Sequence, residues 1–565
     1  MVIKDKLKNL INEALKNLNI EVESILLEHP GDLLMGDYST NVAMALAKTT
    51  KSNPKELAEK IVAELLLLMQ GEAGRGYISN VEAVNGFINF YLAPSFFHAE
   101  LKRILDLGAE YGKSEIHKGK KILVEHSSPN LFKPFHIGHV MNNTIGESIN
   151  RLAHFSGANV STISYPSDVS LGIGKAVWAF MEDGVEKLNE FKTEQEKLNY
   201  LGECYVKGTK AMEENPDLEP RMREITKIIY EHIPSPEYDA YQIGKEINLS
   251  YFKNITKHLG SNFDDFIYES EAGKEGEKLV LENTGNIFEK SDGAIVYKGE
   301  QDGLHTRVFI NKEGYPTYEA KDVGLLSLKF SRYNPDLSIF ITDHEQSEYF
   351  KVVVTAAGKI NPIWKEKTIH RTHGRMSFKG QKMSSRLGGV PIAATLIEAI
   401  SDEVKEKSPE LSLEIRDMVA ISALKFTILR SMAGKNINFD PDTSLSFEGD
   451  SGPYLQYSTV RAGSVLEKAH VEMQDFDPGE SVTEVEKYLV RFEEVVENSI
   501  TLWEPHHVVG YLLDLAQAFN SWYAKVKIID PENKNMAYNI ALTRAFQITM
   551  KNGLYLLGIE TPDKM

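Results

Sequence analysis

Apolar positions recur at helical spacing near residues 3–18 and 54–70, with acids and lysines between them. The turn-rich stretch "HPGDLLMGDYSTN" separates these two patterns, and "GFINFYL" has the short, aromatic and β-branched run of a strand. Residues 1–113 therefore read as a small α/β unit. A polar segment, "GAEYGKSEIHKGK", follows as a linker. The chain then changes character. "KILVE" (121–125) has a buried-strand pattern, and "ANVSTISYPSD" and "LSIFITDH" (337–344) read as further strands, with helical patterns between them. Strands alternating with helices imply a parallel sheet. Between about 182 and 300 the pattern turns charged and helical, as in "EKLNEFKTEQEKLNYLGECYVKG" and "EPRMREITKIIYEHI", which reads as an insertion. From about 410 to "NGLYLLGIETPDKM" the pattern is helical. The expectation is an α/β multidomain protein with units at 1–113, 120–400 and 410–565.

Composition narrows the class only modestly. A chain of 565 residues with 42% hydrophobic and 25% charged positions is an ordinary globular one. Its single cysteine, Cys204, excludes an intrachain disulfide and a four-cysteine zinc site. That usage fits a reducing compartment, and the N-terminal helix pattern lacks the apolar core of a secretory signal, so a cytoplasmic location is expected. The run "VAELLLLM" is far shorter than the roughly 20 residues that span a bilayer, so no membrane is expected. A net charge of −18 argues against general nucleic-acid affinity, while leaving room for a large ligand held by local basic patches.

The chemistry concentrates in two places. In "VEHSSPNLFKPFHIGHVMNN" (124–143) a strand leads through a loop with two prolines into a helix, and His136, Gly138 and His139 stand at the helix start with Lys133 just before them. A helix N-terminus offers unpaired N–H groups and a partial positive charge, which suit phosphate. Imidazoles there can donate to phosphate oxygens, and glycine lets a nucleotide approach the backbone. Taken alone, the same residues also fit two solvent histidines beside a capped helix. The second place is "GQKMSSRLGG" (380–389), where Lys382 and Arg386 flank two serines between glycines. It fits a surface loop, or a loop that brings cations to a triphosphate.

Together and in this order, the two stretches resemble the HIGH and KMSKS signatures of class I aminoacyl-tRNA synthetases. "SSPNLFKPFHIGH" is similar to the arginyl-tRNA synthetase form of the first signature. "GDYSTNVAMALAK", "VNGFINFYL", "LSFEGDSGPYLQYSTVRAGSVL" and "NGLYLLGIETPDKM" resemble other parts of that family, so the likeness runs over nearly the whole chain and is thinnest across 182–250. The resemblance implies a Rossmann-type parallel-sheet catalytic domain at 120–400 with an insertion at about 182–300. It implies an N-terminal domain at 1–113 that touches the tRNA elbow, and a helical stem and anticodon-binding bundle at 410–565.

The implied activity is ATP-dependent activation of L-arginine and its transfer to tRNA(Arg), with Mg²⁺ carried on ATP and no metal held by the protein itself. By resemblance, His136, Gly138, His139, Lys382, Met383 and Ser384 bind ATP, and Glu125 and Asn130 hold the α-amino end of arginine. Tyr318 and Asp322 face the guanidinium, and Gln346 lines the pocket. Guanidinium is a planar fork of five donors that asks for carboxylates, and Tyr318 and Asp322 are four residues apart on one helix face. From spacing alone, Asp322 also fits an exposed helical acid. Phe87 and Asn89 are implied at the tRNA elbow, and Tyr457, Tyr523 and Met565 near the anticodon. Helix-core positions fit each of those tyrosines as well.

Ser385 stands where the second lysine of the family loop belongs, with Arg386 one position further on, so Lys133 is expected to supply the missing charge. Two departures stand out: "VMNN" where many relatives carry arginine, and "YPSDVSLG" in place of a Gly-Asp stretch, so that no role for Asp168 is implied. A monomer is expected. The alternatives are another class I synthetase or related carboxylate-adenylating ligase, and a non-catalytic tRNA-binding paralogue. Intact His136, His139 and Lys382 weigh against the last.

Overall fold

The computed structural model describes residues 3–69, 76–379, 391–469, 476 and 481–565. Lys382, Met383, Ser384, Ser385 and Arg386 lie outside the described residues. Two compact units emerge: one of 1–111, 461–493 and 513–552, the other of 112–460, 494–512 and 553–565.

In the first unit, the helix Ile3–Asn17 buries Ile3, Leu7, Leu10, Ile11 and Ala14 along one face, as its 3.6-residue pattern predicts. It packs with the helix Pro54–Met69, whose proline occupies the first turn, where no N–H is needed. The strand Phe87–Leu92 is central in a three-stranded antiparallel sheet, between Tyr38–Thr40 and Ile78–Val84. Alternation along it buries Ile88 and Phe90 and leaves Phe87 42% exposed. Helical segments from the 461–552 part complete this unit, and Tyr111 donates to the carbonyl of Leu489 at 2.8 Å within it.

The second unit is built on five parallel strands: β1 (Lys121–Glu125), β2 (Asn159–Ser164), β3 (Asp265–Phe266), β4 (Leu337–Asp343) and β5 (Thr368–His373). Their order across the sheet is β5-β4-β1-β2-β3. The apolar runs of β1 and β4 are covered on both faces, as a parallel sheet requires. The chain crosses in opposite directions on either side of β1, so a crevice opens beyond the carboxyl ends of β1 and β4. Glu125, the last residue of β1, is registered against Phe340 of β4 on one side and Ile163 of β2 on the other.

The helices that concern the crevice are α1 (Ile137–Phe155), α2 (Glu194–Glu214), α3 (Glu269–Glu282), α4 (Tyr318–Tyr333) and α5 (Ser347–Ile360). Asn142 of α1 ties the crevice together, accepting from the N–H of Ser127 and donating to the carbonyl of Ile341 of β4, each at 2.7 Å. The segment 182–300 is helical for most of its length, as its pattern predicts. It also supplies β3 to the central sheet, and two strands, Glu289–Ser291 and Ala294–Tyr297, to a small antiparallel sheet. A two-residue strand among charged residues leaves no period-2 trace, which is why the pattern hid it.

Helices α3 and α4 meet at two glycines. A Cβ on Gly276 would lie 1.9 Å from the carbonyl oxygen of Ala320, and one on Gly324 would lie 2.0 Å from that of Ala272. Both obstacles are backbone, so neither can move aside as a side chain would. We expect Gly324→Ala to destabilise the second unit by about 2 kcal/mol or more, because overpacking outweighs the roughly 1 kcal/mol that alanine gains in helix propensity. Gly510→Ala, with open space around its Cβ, serves as the control and should be neutral or mildly stabilising. Midpoints of urea denaturation for the two variants check this.

Candidate active site

Helix α1 is capped by histidine. His136 is extended (φ −110°, ψ 175°), and its Nδ1 accepts from the N–H of Gly138 at 3.1 Å. The N–H of His136 in turn donates to Nδ1 of His139 at 3.1 Å. The two rings lie 3.9 Å apart, and Phe135 stacks on His139 at 4.9 Å. A nitrogen that accepts from a backbone N–H carries no proton, so in each neutral ring the proton sits on Nε2. Burial lowers the pKa of His136, helped by Lys133 nearby. Burial also lowers that of His139, well below the usual value, with further effect from His136, His373 and Lys133. Both imidazoles are therefore neutral donors through Nε2. Gly138 serves this arrangement directly: a Cβ there would sit 3.0 Å from Cε1 of His136.

Beyond these rings lies a chamber of about 780 Å³ whose wall carries six carboxylates: Glu125, Glu269, Glu319, Asp322, Asp343 and Glu345. Five of them have cationic partners. Glu125 pairs with Lys329, a helical lysine only 1% exposed. Glu269 pairs with Lys321 at 3.5 Å and accepts from Ser167 Oγ at 2.6 Å. Glu319 pairs with Arg307 at 3.2 Å, and Arg375 serves both Asp343 and Glu345. Among the described residues, Asp322 alone has no ion-pair partner; it accepts only from the hydroxyl of Tyr349. Burial pushes its pKa up to about 7, a rise to which the charges of Glu125 and Glu269 add and which the Tyr349 hydroxyl opposes. The chamber thus presents one acid that is missing its counter-ion.

The residues singled out from sequence fall unevenly around this chamber. Glu125, Asn130, His136, Gly138, His139, Tyr318, Asp322 and Gln346 all line it. Tyr318 opens α4 one turn before Asp322 and is 60% exposed. Lys133 is not on the wall; its ammonium lies 4.3 Å from the ring centre of Tyr205 on α2. Asn89 is 3% exposed and accepts from Ser39 Oγ at 2.7 Å. Tyr523 belongs to the first unit and stacks with Arg461, whereas Tyr457 and Met565 belong to the second, so these three are not gathered in one unit. Tyr457 meets Phe447 edge-on, and Met565 packs on the core. Asp168 is buried and bonded to Tyr241, Lys245 and both donors of Ser270, a complete set of partners that gives it a structural task.

Glu269, Tyr349 and Lys329 were not anticipated. Glu269 starts a helix far from either signature, and nothing in its sequence surroundings marks it. Lys329 in "KFSRY" has the look of a solvent lysine. Tyr349 carried a usable signal, since it follows Gln346 by three residues.

Three family models match stretches of the chain. Residues 100–440 match the family model "tRNA synthetases class I (R), catalytic domain". Residues 5–92 match "Arginyl tRNA synthetase N terminal domain", and 455–565 match "DALR anticodon binding domain". The chain is 30% identical to an arginine–tRNA ligase of Clostridium perfringens over 99% of its own length and 100% of that protein's. It is 28% identical to one of Halothermothrix orenii over 100% and 99%. The solved arginyl-tRNA synthetase of Thermus thermophilus superposes with a TM-score of 0.78 at 25% identity, covering 99% of both chains.

The elevated pKa of Asp322 sets a pH dependence. A guanidinium held at Asp322 would need the charged carboxylate, so protons would compete with it below about pH 7. Thermal stabilisation by added arginine should therefore grow from about pH 6 to about pH 8, with affinity weakening by up to about tenfold per unit below 7. Thermal melts across that range, with Asp322→Asn as the variant in which the dependence disappears, check it.

Proposed function

We propose, for a chain that belongs to the class I arginyl-tRNA synthetases, that the carboxylate chamber selects arginine and that the histidine-capped helix start handles ATP. The overall activity is that of an arginine–tRNA ligase. One observation carries the substrate assignment: Asp322 is the only wall carboxylate, among the described residues, without an ion pair. A guanidinium supplies the missing charge, and its planar fork can be shared with the hydroxyl of Tyr318 and with Glu269. A neutral side chain of the same size would leave these groups unpaired, which costs discrimination factors of about 10⁴–10⁵ in sites of this kind. Selection at that level needs no hydrolytic editing.

The remaining roles are assigned by likeness to the family. Glu125, fixed by Lys329, and Asn130 hold the α-amino end of arginine, and Gln346 closes the side of the pocket. The arginine carboxylate attacks the α-phosphorus of ATP in line, and pyrophosphate leaves. The Nε2–H groups of His136 and His139 donate to phosphate oxygens in both ground and transition states, and neutral rings do so without having to shed a proton. Gly138 keeps the His136 ring in register. Lys133 and Lys382 offset the charge that builds on the leaving group, and Met383 and Ser384 join Lys382 in binding ATP. Mg²⁺ enters with ATP as part of that substrate. In the second step a terminal ribose hydroxyl of tRNA(Arg) attacks the adenylate carbonyl and AMP leaves.

For the tRNA body, the exposed ring of Phe87 is suited to stacking on a base, and Asn89 orients that strand through Ser39. Tyr457, Tyr523 and Met565 are assigned to the anticodon side. Among the described residues no helix is long and apolar enough to cross a membrane. A cytoplasmic monomer is the form in which we expect it to act.

Labelled pyrophosphate exchange over the twenty amino acids, with and without tRNA, tests the assignment; arginine alone should support it. Asp322→Asn should fold normally yet raise the KM for arginine by about 10²-fold or more, as a charged pair becomes a neutral contact. An unchanged KM would remove the pocket assignment. Lys133→Ala should lower turnover by about 10²–10³ with little change in the KM for ATP. Steady-state aminoacylation at saturating ATP decides that point, and near-normal turnover would discard the role.

A further inference from the structure

The chamber that receives a guanidinium already contains one. Arg307, at the first position of the strand Arg307–Ile310, faces the same space as Asp322. Its guanidinium carbon lies 5.2 Å from the ring centre of Tyr349, and the hydroxyl of that ring is the donor to Asp322. A cation inside the chamber and an unpaired carboxylate are thus separated by a single phenol ring. Left to electrostatics, the two would pair. What opposes this is Glu319, which holds Arg307 Nη1 at 3.2 Å. Glu319 is three residues before Asp322 on α4, so both carboxylates project from one helix face. The Nε of Arg307 is buried without a hydrogen-bond partner, while the guanidinium is anchored through Glu319 and the Tyr349 ring. A buried N–H without an acceptor retains a drive toward one.

We infer that Glu319 is a specificity-determining residue that acts as a tether, keeping the resident guanidinium of Arg307 off Asp322 so that the substrate's guanidinium finds that carboxylate vacant. The inference rests on Asp322 being the substrate's anchor. Without the tether, Arg307 becomes an intramolecular competitor. The apparent affinity for arginine then falls by the fraction of molecules in which Asp322 is free, so occupancy by Arg307 in nine molecules of ten costs tenfold. Turnover at saturating arginine is spared, because the substrate displaces the competitor. A residue that merely stabilised the fold, or touched the substrate itself, would not give this pattern together with rescue by removal of Arg307.

The test compares Glu319→Gln, Glu319→Asp and the double variant Glu319→Gln/Arg307→Met with the parent in arginine-dependent aminoacylation. Glu319→Gln should raise the KM for arginine by about tenfold or more with kcat within about threefold of the parent. Glu319→Asp, which keeps the charge, should stay near the parent. The double variant should recover most of the lost KM. A parental KM in Glu319→Gln overturns the tether, as does a loss that persists in the double variant. Failure of the underlying pocket assignment has a separate signature, since it appears as a parental KM in Asp322→Asn.

Discussion

Backbone contact between two helices governs the arrangement of this site. At Gly276 and Gly324 the helices α3 and α4 approach until a single added carbon would overlap a carbonyl oxygen. Nothing wider than hydrogen fits there. The approach fixes Glu269, at the start of α3, and Asp322, one turn into α4, on the wall of one chamber. Burial raises the pKa of each, with the charge of Asp168 adding at Glu269 and those of Glu125 and Glu269 adding at Asp322. Close packing thus holds the charges in a relation they would otherwise avoid, and a cationic ligand relieves it.

The wall shows how such a site is kept open. Lys329, Lys321, Arg307 and Arg375 neutralise their neighbours in place, the first three from a helix or a strand of the unit. Truncating Lys329 or Lys321 would leave a buried acid uncompensated, the more expensive kind of loss in a polar interior. On the other side of the crevice the chemistry is uncharged. His136 and His139 spend one nitrogen each on the backbone and keep the other for a ligand. The two halves differ in physical character as well as in composition: one answers to pH near neutrality and the other does not.

Much of this was legible in the chain, and the boundary of legibility has physical reasons. Apolar runs revealed β1 and β4, because a strand covered on both faces must be largely apolar, and β-branched residues marked β2. It missed β3, whose two residues are too few to show a period. The spacing of Tyr318 and Asp322 put them on one face, yet it could not say that Asp322 would be the acid left unpaired, since Lys329 and Arg307 choose their partners through the tertiary fold. Likewise Asn89 is marked by its motif as a contact residue, whereas the fold turns it inward against Ser39. Spacing encodes which residues share an element; which element faces which is written in details such as the two glycines, whose meaning appears only once the helices cross.

The imidazole cap at the start of α1 also bears on how such a protein can lose its chemistry over generations. Asparagine, aspartate or serine caps a helix as well as histidine does. An exchange of that kind at position 136 would satisfy the same backbone donor, while removing the imidazole proposed to meet phosphate. Descent from an enzyme to a pure RNA-binding relative therefore lies one inexpensive step away. It requires no passage through an unstable ancestor, and the cap is where the first footprint of such a descent would be found.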